Sequence, residues 1–265
     1  MVGHPINHSK SPMIHREFGQ QFGLDLHYGM IDATESDFFS TVREFFKQGG
    51  EGLNVTVPHK ARAAEISDTQ SDLVSSIGVA NTLGLNSSGH IWADNTDGLG
   101  LVVDLTRNYA VEIQDKNILI LGAGGAARGI LLSLLQEEPK QLAVFNRTYQ
   151  RARQLVLDLT DGSRAIVAGE QDLLDVSWDL IINTTAAGLN NQRPNLHESV
   201  INHETVVYDL QYGDAAKPLC VWAHELGAAK TLNGWGMLVE QAARSFELWH
   251  GLKPDTSAML GMANG

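Results

Sequence analysis

Apolar and polar positions alternate with two different periods along most of this 265-residue chain. Short aliphatic runs predict strands at 117–121, 142–146, 164–167, 179–183, 205–208 and 229–232, and earlier strands at 26–31, 52–56 and 79–85. Amphipathic stretches predict helices at 12–23, 35–48, 59–66, 98–107 and 236–250. Strands that alternate with helices favour parallel sheets covered on both faces, so the pattern predicts an α/β fold.

The strand at 117–121 runs into a glycine-rich turn and then a helix. The turn reads Gly122-Ala123-Gly124-Gly125-Ala126-Ala127. In a dinucleotide-binding unit Gly122 permits the tight turn, Gly124 lets the backbone approach a pyrophosphate, and Ala127 keeps helix and strand close. The helix N-terminus then offers free N–H groups to the anion. Flavin sites, methyl-donor sites and packing glycines share this turn, so the next strand has to discriminate.

The end of the second strand indicates which dinucleotide binds. Where NAD-binding units place an acid for the ribose hydroxyls, this chain has Asn146, followed by Arg147, Thr148 and, one turn later, Arg151. A guanidinium binds a 2′-phosphate through two parallel hydrogen bonds, whereas an acid would repel it. We therefore expect NADP(H) rather than NAD(H). The alternative is that both arginines belong to a solvated helix face.

The composition narrows the possible partners. The chain has 31 acidic and 19 basic residues, a net charge of −12, which argues against nucleic acid and anionic membranes. A single cysteine, Cys220, excludes an internal disulfide or thiolate metal cluster and fits a reducing cytoplasm. The ten histidines lack ligand spacing on a helix, so no metal site is predicted. No signal sequence or membrane-length apolar run is recognised, and the expected partner is a small molecule.

Two serines, Ser9 and Ser11, precede a predicted helix. At positions i and i+2 of an extended stretch their side chains point the same way and could share one carboxylate. The alternative is that Ser11 caps the helix, with Pro12 at the first helical position.

Three further polar residues are candidates for chemistry. Lys60 is expected near the first turn of a helix, where a cation opposes the helix dipole. This placement suits a group that transfers protons. The alternative is a solvated surface lysine. Asn81, inside an apolar strand, must be hydrogen-bonded, so it braces a turn or faces a ligand. Asp97 is either a plain N-cap or a carboxylate that orients the lysine and a substrate hydroxyl.

These clusters, in this order, resemble the shikimate dehydrogenase family over essentially the whole chain. The matching motifs are Pro5-Ile6-Asn7-His8-Ser9-Lys10-Ser11-Pro12, Asn54-Val55-Thr56-Val57-Pro58-His59-Lys60, Asn81-Thr82-Leu83, Asp94-Asn95-Thr96-Asp97-Gly98, Gly122 to Ala127, Asn146-Arg147-Thr148 and Gly236-Met237-Leu238-Val239-Glu240-Gln241-Ala242. Several independent motifs in register are much more specific than the glycine-rich turn alone. His59 departs from the family, in which phenylalanine is common at this position.

The resemblance implies a substrate-binding domain at 1–97, completed by C-terminal helices within 236–265, and a Rossmann-type, doubly wound NADP-binding domain at 98–235. It implies NADPH-dependent reduction of 3-dehydroshikimate to shikimate, a reversible hydride transfer on the route to chorismate and the aromatic amino acids. Lys60 would be the acid–base group, paired with Asp97. The residues implied to bind the substrate are Ser9, Ser11, Thr56, Asn81, Asp97, Tyr212 and Gln241. Those implied to bind the cofactor are Gly122, Ala123, Gly124, Gly125, Ala126, Asn146, Arg147, Thr148, Arg151, Thr184, Leu210, Gly234 and Met237.

Two other functions stay open. An enzyme of the same fold could also accept quinate, because the sequence does not reveal the shape of the pocket. A non-catalytic dinucleotide sensor is disfavoured, since it would have no use for Lys60 and Asp97. The oligomeric state is left between monomer and homodimer, and Asp72 is interpreted as part of a charged helix face. Only Met1 and Val2 precede the first turn, so either the first strand is short or the start is truncated, and we expect a weakened first sheet.

Overall fold

The structure of the chain is a computed structural model, which describes residues 1–7, 9–160, 162 and 164–264. His8 of the first motif lies outside the described residues. It divides into two compact units. The first unit comprises Met1–Gly100 and Leu238–Gly265, and the second unit comprises Leu101–Met237.

The secondary structure follows in chain order. The strands are β1 (Val2–Gly3), β2 (Ile31–Asp32), β3 (Gly52–Asn54), β4 (Thr69–Gln70), β5 (Thr82–Leu85), β6 (Ile91–Asp94), β7 (Asn117–Leu121), β8 (Gln141–Phe145), β9 (Ile166–Val167), β10 (Leu180–Asn183), β11 (Val206–Asp209) and β12 (Lys230–Asn233). The α-helices are α1 (Ser11–Gln21), α2 (Phe38–Lys47), α3 (Lys60–Ile66), α4 (Asp72–Ile77), α5 (Asp97–Val103), α6 (Gly125–Gln136), α7 (Tyr149–Thr160), α8 (Asp172–Asp175), α9 (Lys217–Glu225), α10 (Trp235–His250) and α11 (Ser257–Leu260). Short 3₁₀ turns cover Ala187–Asn190, Glu198–Val200, Gly213–Ala216 and Gly261–Asn264, and a π-helical turn, Asp104–Asn108, follows α5.

The first unit is built on a mixed sheet. In this four-stranded sheet β5 runs antiparallel to both β3 and β6, while β4 pairs in parallel with β6. Strands β1 and β2 form a separate two-stranded parallel sheet. The parallel arrangement expected from the sequence is therefore wrong for this unit. The reason is the tight turn between β5 and β6, where Gly89 has φ +78° and its N–H bonds the carbonyl of Asn86, because so short a connection joins only antiparallel strands.

Several predicted elements of the first unit need correction. The strand expected at 26–31 reduces to β2, because a strand can extend only as far as its partner and β1 has two residues. The prediction also lacks β4, α4 and β6, whose runs of two to six residues are too short to establish a period. The core of this unit includes Phe38 and Val42 of α2, which pack with Leu53 and Leu83 of the sheet.

The second unit is a parallel sheet with the strand order β12-β11-β10-β7-β8-β9. Counted from β7, this is the doubly wound order 3-2-1-4-5-6 of a Rossmann fold. Side chains alternate along β7: Ile118 and Ile120 face the core formed with α6, whereas Leu119 and Leu121 face the core that contains Trp178. The predicted fold class is confirmed. The strand predicted at 117–121 is found with the same bounds, and the other predicted strands of this unit are found with their ends shifted by one or two residues.

The helix predicted at 98–107 is two elements, because α5 changes to the π-helical turn at Asp104. This carboxylate is fully buried and accepts hydrogen bonds from the Tyr208 hydroxyl at 2.6 Å and from Asn108 Nδ2 at 2.8 Å. A Cβ on Gly236 would collide with it, so the carboxylate lies against the first turn of α10, where the helix dipole favours an anion. Burial, and then the negative charge of Asp104, raise the pKa of Tyr208.

Within the described ranges, no helix has the length and apolar character needed to cross a membrane.

We predict that Tyr208→Phe destabilises the second unit. The substitution keeps the ring but removes a hydrogen bond to a buried charge, a loss of about 1.5–3 kcal/mol in the free energy of unfolding. Tyr149→Phe is the matched control, because that tyrosine is exposed on α7 and should change stability by less than about 0.5 kcal/mol. Urea denaturation of the three proteins measures the difference, and equal midpoints for Tyr208→Phe and wild type would contradict the prediction.

Candidate active site

Lys60 and Asp97 form a nearly buried ion pair in the first unit. Lys60 Nζ lies 2.5 Å from Asp97 Oδ2, and the two side chains are only 14% and 7% exposed. Lys60 is the first residue of α3 and Asp97 the first of α5. The helix dipole therefore favours the carboxylate and disfavours the ammonium, which the carboxylate then compensates. The alternative interpretation of Lys60 as a solvated surface lysine is therefore wrong.

The local sequence explains how the pair is brought together. Asn54 ends β3, and Lys60 follows a turn closed by the bond from the N–H of His59 to the carbonyl of Thr56. Asp97 follows β6, the neighbour of β5 in the sheet. His59, where the family commonly has phenylalanine, is fully buried; its Nε2 contacts the Ala33 carbonyl at 2.8 Å and its ring stacks on Phe38. The histidine thus fills an aromatic position in the core.

Asn81 links this pair to Gln241. Its Nδ2 lies 2.9 Å from Asp97 Oδ1 and 3.2 Å from Gln241 Oε1, and its side chain is 2% exposed. Asn81 immediately precedes β5 rather than lying inside a longer strand, and Asp97 begins α5 with its carboxylate bound to Lys60 and Asn81. Of the predicted site residues, the structure thus brings together Lys60, Asn81, Asp97 and Gln241.

Ser9 and Ser11 lie close together, but not as two residues of one extended stretch. Their Oγ atoms are 3.3 Å apart, and the N–H of Ser11 donates to Ser9 Oγ at 3.2 Å. The interpretation of Ser11 as N-cap is wrong, because Lys10 occupies that position and Ser11 is already the first residue of α1. Thr56 is half-buried, and its N–H donates to the carbonyl of Val2 in β1. A carboxylate-binding role for the serines stays a prediction.

The glycine-rich turn of the second unit has the form that a pyrophosphate requires. Gly122 has φ +106°, and a Cβ there would lie 2.5 Å from Thr184 Oγ1. Gly124 and Gly125 are exposed at the N-terminus of α6, and a Cβ on Gly124 would project into open space. Ala127 is fully buried against the sheet. Free N–H groups, a positive helix end and room for an anion therefore coincide at Gly124 and Gly125.

The loop after β8 presents two cations. Asn146 Nδ2 donates to the carbonyl of Thr148 at 2.9 Å and so braces the loop. Arg147 and Arg151 are exposed, and within the described part of the chain neither forms an ion pair. Arg128, by contrast, is bound to Asp158 and lowers the pKa of that carboxyl. The two unpaired arginines are thus available for an anionic group, whereas Arg128 joins α6 to α7.

Other predicted cofactor residues lie along the carboxyl ends of the strands. Thr184 follows β10 and donates through Oγ1 to the carbonyl of Leu121 at 2.8 Å. Gly234 follows β12, where a Cβ would collide with the carbonyl of Leu210. Met237 is buried in the core that Leu210 also contacts. Tyr212 packs edge to face on Trp235 with ring centroids 6.1 Å apart, and its predicted contact with substrate stays a prediction.

Asp209, which sequence reasoning missed, is a buried carboxyl at this edge. It ends β11, in register with Asn183 of β10, and accepts hydrogen bonds from Asn183 Nδ2 at 3.0 Å and from the N–H of Gln211 at 2.9 Å. Burial raises the pKa of Asp209 to about 6, against the opposing effect of these bonds. The signal in the sequence was an acid that ends an otherwise apolar strand.

Comparison with known proteins gives matches along most of the chain. Family models described as "Shikimate dehydrogenase substrate binding domain", "Shikimate / quinate 5-dehydrogenase" and "Shikimate 5'-dehydrogenase C-terminal domain" match residues 1–83, 104–211 and 234–261. Shikimate dehydrogenase (NADP(+)) of Aeromonas salmonicida is 43% identical, over 98% of this chain and 94% of the relative.

Solved structures are similar as well. An Ael1 enzyme from Pseudomonas putida has a TM-score of 0.91 at 40% identity, covering 99% of this chain and 96% of that one. Shikimate 5-dehydrogenase from Thermus thermophilus, in complex with NADP(H) and shikimate, has a TM-score of 0.86 at 29% identity, with coverage of 99% and 96%.

We predict that the stability difference between wild type and Asp209→Asn depends on pH. Because the folded-state pKa of Asp209 is raised, folding favours the protonated form; this stabilisation is complete below the unfolded value and is lost as pH rises through about 6. From about pH 4 to about pH 7, wild type should lose roughly 2 kcal/mol of unfolding free energy relative to Asp209→Asn. Urea unfolding across this range measures the difference, from which any pH-independent effect of the substitution cancels. If the free energy of unfolding changes with pH in the same way for wild type and Asp209→Asn, the Asp209 carboxyl does not titrate in this range.

Proposed function

The chain belongs to the shikimate dehydrogenase family, and we propose that its Lys60–Asp97 pair performs the proton transfer of the family's reaction. That reaction is the reversible, NADP-dependent interconversion of 3-dehydroshikimate and shikimate, so the chain is an oxidoreductase of the shikimate pathway. The observation that carries the proposal is the 2.5 Å contact of Lys60 Nζ with Asp97 Oδ2, both side chains being nearly buried.

The chain's own residues supply a proton and hold the substrate. Bound NADPH supplies the hydride. As the ketone carbon is reduced, its oxygen becomes an alkoxide, and the Lys60 ammonium donates the proton that completes the hydroxyl. In the reverse direction neutral Lys60 accepts the hydroxyl proton. Asp97 orients the Lys60 side chain and, with Asn81, offers polar groups to the ring hydroxyls.

We assign the remaining substrate contacts by their chemistry. Ser9 and Ser11, with hydroxyls 3.3 Å apart, suit a carboxylate that accepts a hydrogen bond from each. Thr56 and Gln241 suit ring hydroxyls, which both donate and accept. Tyr212 is assigned as a further substrate contact.

The second unit would hold the cofactor. The open space beside Gly124 and the free N–H groups of α6 fit the pyrophosphate, and Arg147 with Arg151 fits the 2′-phosphate. The remaining contacts are assigned to Gly122, Ala123, Gly125, Ala126, Asn146, Thr148, Thr184, Leu210, Gly234 and Met237. The functional boundaries proposed are 1–97 with 236–265 for the substrate and 98–235 for the cofactor.

We place the enzyme in the cytoplasm, as a monomer or homodimer. Cys220 is the chain's single cysteine, and burial raises the pKa of its thiol to about 12, so it is held as a neutral, unreactive group. Such cysteine usage fits a reducing compartment.

Lys60→Met should lower kcat for shikimate oxidation with NADP by about 10²–10⁴-fold, because it keeps the stem of the side chain but removes the proton carrier. Lys47→Met, at an exposed position of α2, is the control and should retain wild-type turnover. Thermal denaturation checks that both variants fold. Turnover of Lys60→Met within about tenfold of wild type would exclude Lys60 as the acid–base group.

The double substitution Arg147→Ala and Arg151→Ala should raise the KM for NADP by about 10–100-fold and leave the KM for NAD unchanged. The reason is that only NADP carries the 2′-phosphate, whose charge-assisted hydrogen bonds are lost. Arg153→Ala, exposed on the same helix, should leave both constants at the wild-type value. Steady-state rates measured with shikimate and with quinate, each with NADP and with NAD, provide the constants. An equal rise in KM for both cofactors would show that the arginines do not recognise the 2′-phosphate.

A further inference from the structure

We propose that Ser245 and Thr82 are positioning residues for the reaction, because they fix the orientation of the Asn81 amide. The proposal rests on the function assigned above to Lys60 and Asp97. Neither Ser245 nor Thr82 has any exposed surface, so neither can touch a ligand. The shortest route from these hydroxyls to the ion pair runs through Asn81, whose Nδ2 bonds Asp97 Oδ1 at 2.9 Å; Ser245 Oγ also lies 3.3 Å from Thr96 Oγ1.

The two hydroxyls meet because of helix periodicity and strand register. Ser245 lies one turn after Gln241 on α10, so both side chains point to the same face. Asn54 of β3 is paired with Thr82 of β5. Ser245 Oγ lies 2.8 Å from Thr82 Oγ1 and 3.0 Å from Asn54 Nδ2.

The orientation of the Asn81 amide follows from the chemistry of its neighbours. The N–H of Thr96 can only donate, and it lies 2.9 Å from Asn81 Oδ1. The ionised carboxylate of Asp97 can only accept, and it lies 2.9 Å from Asn81 Nδ2. The hydroxyl of Thr82, 2.8 Å from Asn81 Oδ1, therefore has to donate to that oxygen.

The direction of the next bonds is then determined. Thr82 has used its proton, so at 2.8 Å it accepts from Ser245. The Gln241 carbonyl at 3.1 Å and Thr96 Oγ1 at 3.3 Å are longer alternative acceptors, so we take the shortest contact of the Ser245 hydroxyl, to Thr82, as its bond. Ser245 in turn accepts from Asn54 Nδ2, which can only donate, and Asn54 Oδ1 accepts from the hydroxyl of Tyr28 at 2.6 Å.

The hydrogen bonds therefore run one way from Tyr28 to the ion pair. Their donors in order are Tyr28, Asn54, Ser245, Thr82 and Asn81, and the final acceptor is Asp97. In such a chain each bond polarises the next, which strengthens the last bond to the carboxylate. Loss of a hydroxyl in the middle leaves Asn81 with a weaker hold on Asp97 and Asp97 with a weaker hold on Lys60.

Thr82→Val and Thr82→Ser test the proposal as a matched pair. Valine keeps the shape of threonine without a donor, whereas serine keeps the hydroxyl. We expect Thr82→Val to lower kcat for shikimate oxidation about tenfold, the loss of one hydrogen bond in a charged network, and to displace the pH profile of kcat. Thr82→Ser should restore the wild-type profile and at least about half of kcat. KM for NADP should be unchanged in both.

Further variants make every outcome decisive. Ser245→Ala, which favours the helix, should reproduce the fall in kcat, and the double variant should be no worse than either single one because the same chain is broken once. Thr69→Val, at an exposed position of β4, controls for the general effect of valine. Three results would overturn the proposal. The first is a wild-type kcat in Thr82→Val or in Ser245→Ala. The second is an equal fall in kcat for Thr82→Val and Thr82→Ser, and the third is an additive fall in kcat in the double variant. Lys60→Met separates the two proposals. A kcat of Lys60→Met within about tenfold of wild type refutes the proposed function itself, whereas a wild-type kcat in Thr82→Val, with Lys60→Met impaired as expected, refutes only the positioning role.

Discussion

The first unit is organised around a carboxylate that is almost fully buried beside an ammonium. Taking two charges out of water costs several kcal/mol for each ion, and their attraction offsets this only when the remaining polar atoms are also satisfied. Here Asn81 donates to the second oxygen of Asp97, and Asn95 accepts from its N–H. The requirement explains why polar residues gather where β5 begins and β6 ends, in a sheet that is otherwise apolar.

A satisfied network also selects one arrangement of the chain. The bonds to Gln241 and Ser245 join the C-terminal segment to the N-terminal sheet, and the Trp249 indole donates to the carbonyl of Leu83 at 2.9 Å. Displacing α10 by one turn would leave buried donors and acceptors unpaired, at a cost of about 1–3 kcal/mol each. The grouping of residues 238–265 with the first hundred therefore follows from polar pairing as well as from apolar packing.

Sequence reasoning succeeded where the determinant is local and failed where it is distant. The turn at Gly122 and the helix start at Lys60 depend on a few consecutive residues, and the motifs therefore predicted them. The residues alone left Asp97 either as an N-cap or as the partner of Lys60, and the family resemblance favoured the pair, since nothing in 36 intervening residues shows that the two approach each other. Asn54 and Ser245 bond across 191 positions, a contact that depends on strand register and helix placement together. The mixed sheet was missed for a different reason: β6 has only four residues, too few to establish a period, so the short turn Asn86–Gly89 could not be recognised as the link between two antiparallel strands.

The charge of the chain limits how the cofactor can be recognised. With 31 acidic residues against 19 basic ones, the long-range field repels NAD and NADP, and it repels the more highly charged NADP more strongly. Preference for the 2′-phosphate must then come from contacts within a few ångströms, where screening by salt is weak. Among the described residues, Arg128 is occupied by Asp158, whereas Arg147 and Arg151 form no ion pair. An acidic surface with two unpaired arginines thus makes discrimination depend on direct contact. A glycine turn suited to the pyrophosphate, which both cofactors share, cannot provide that discrimination by itself.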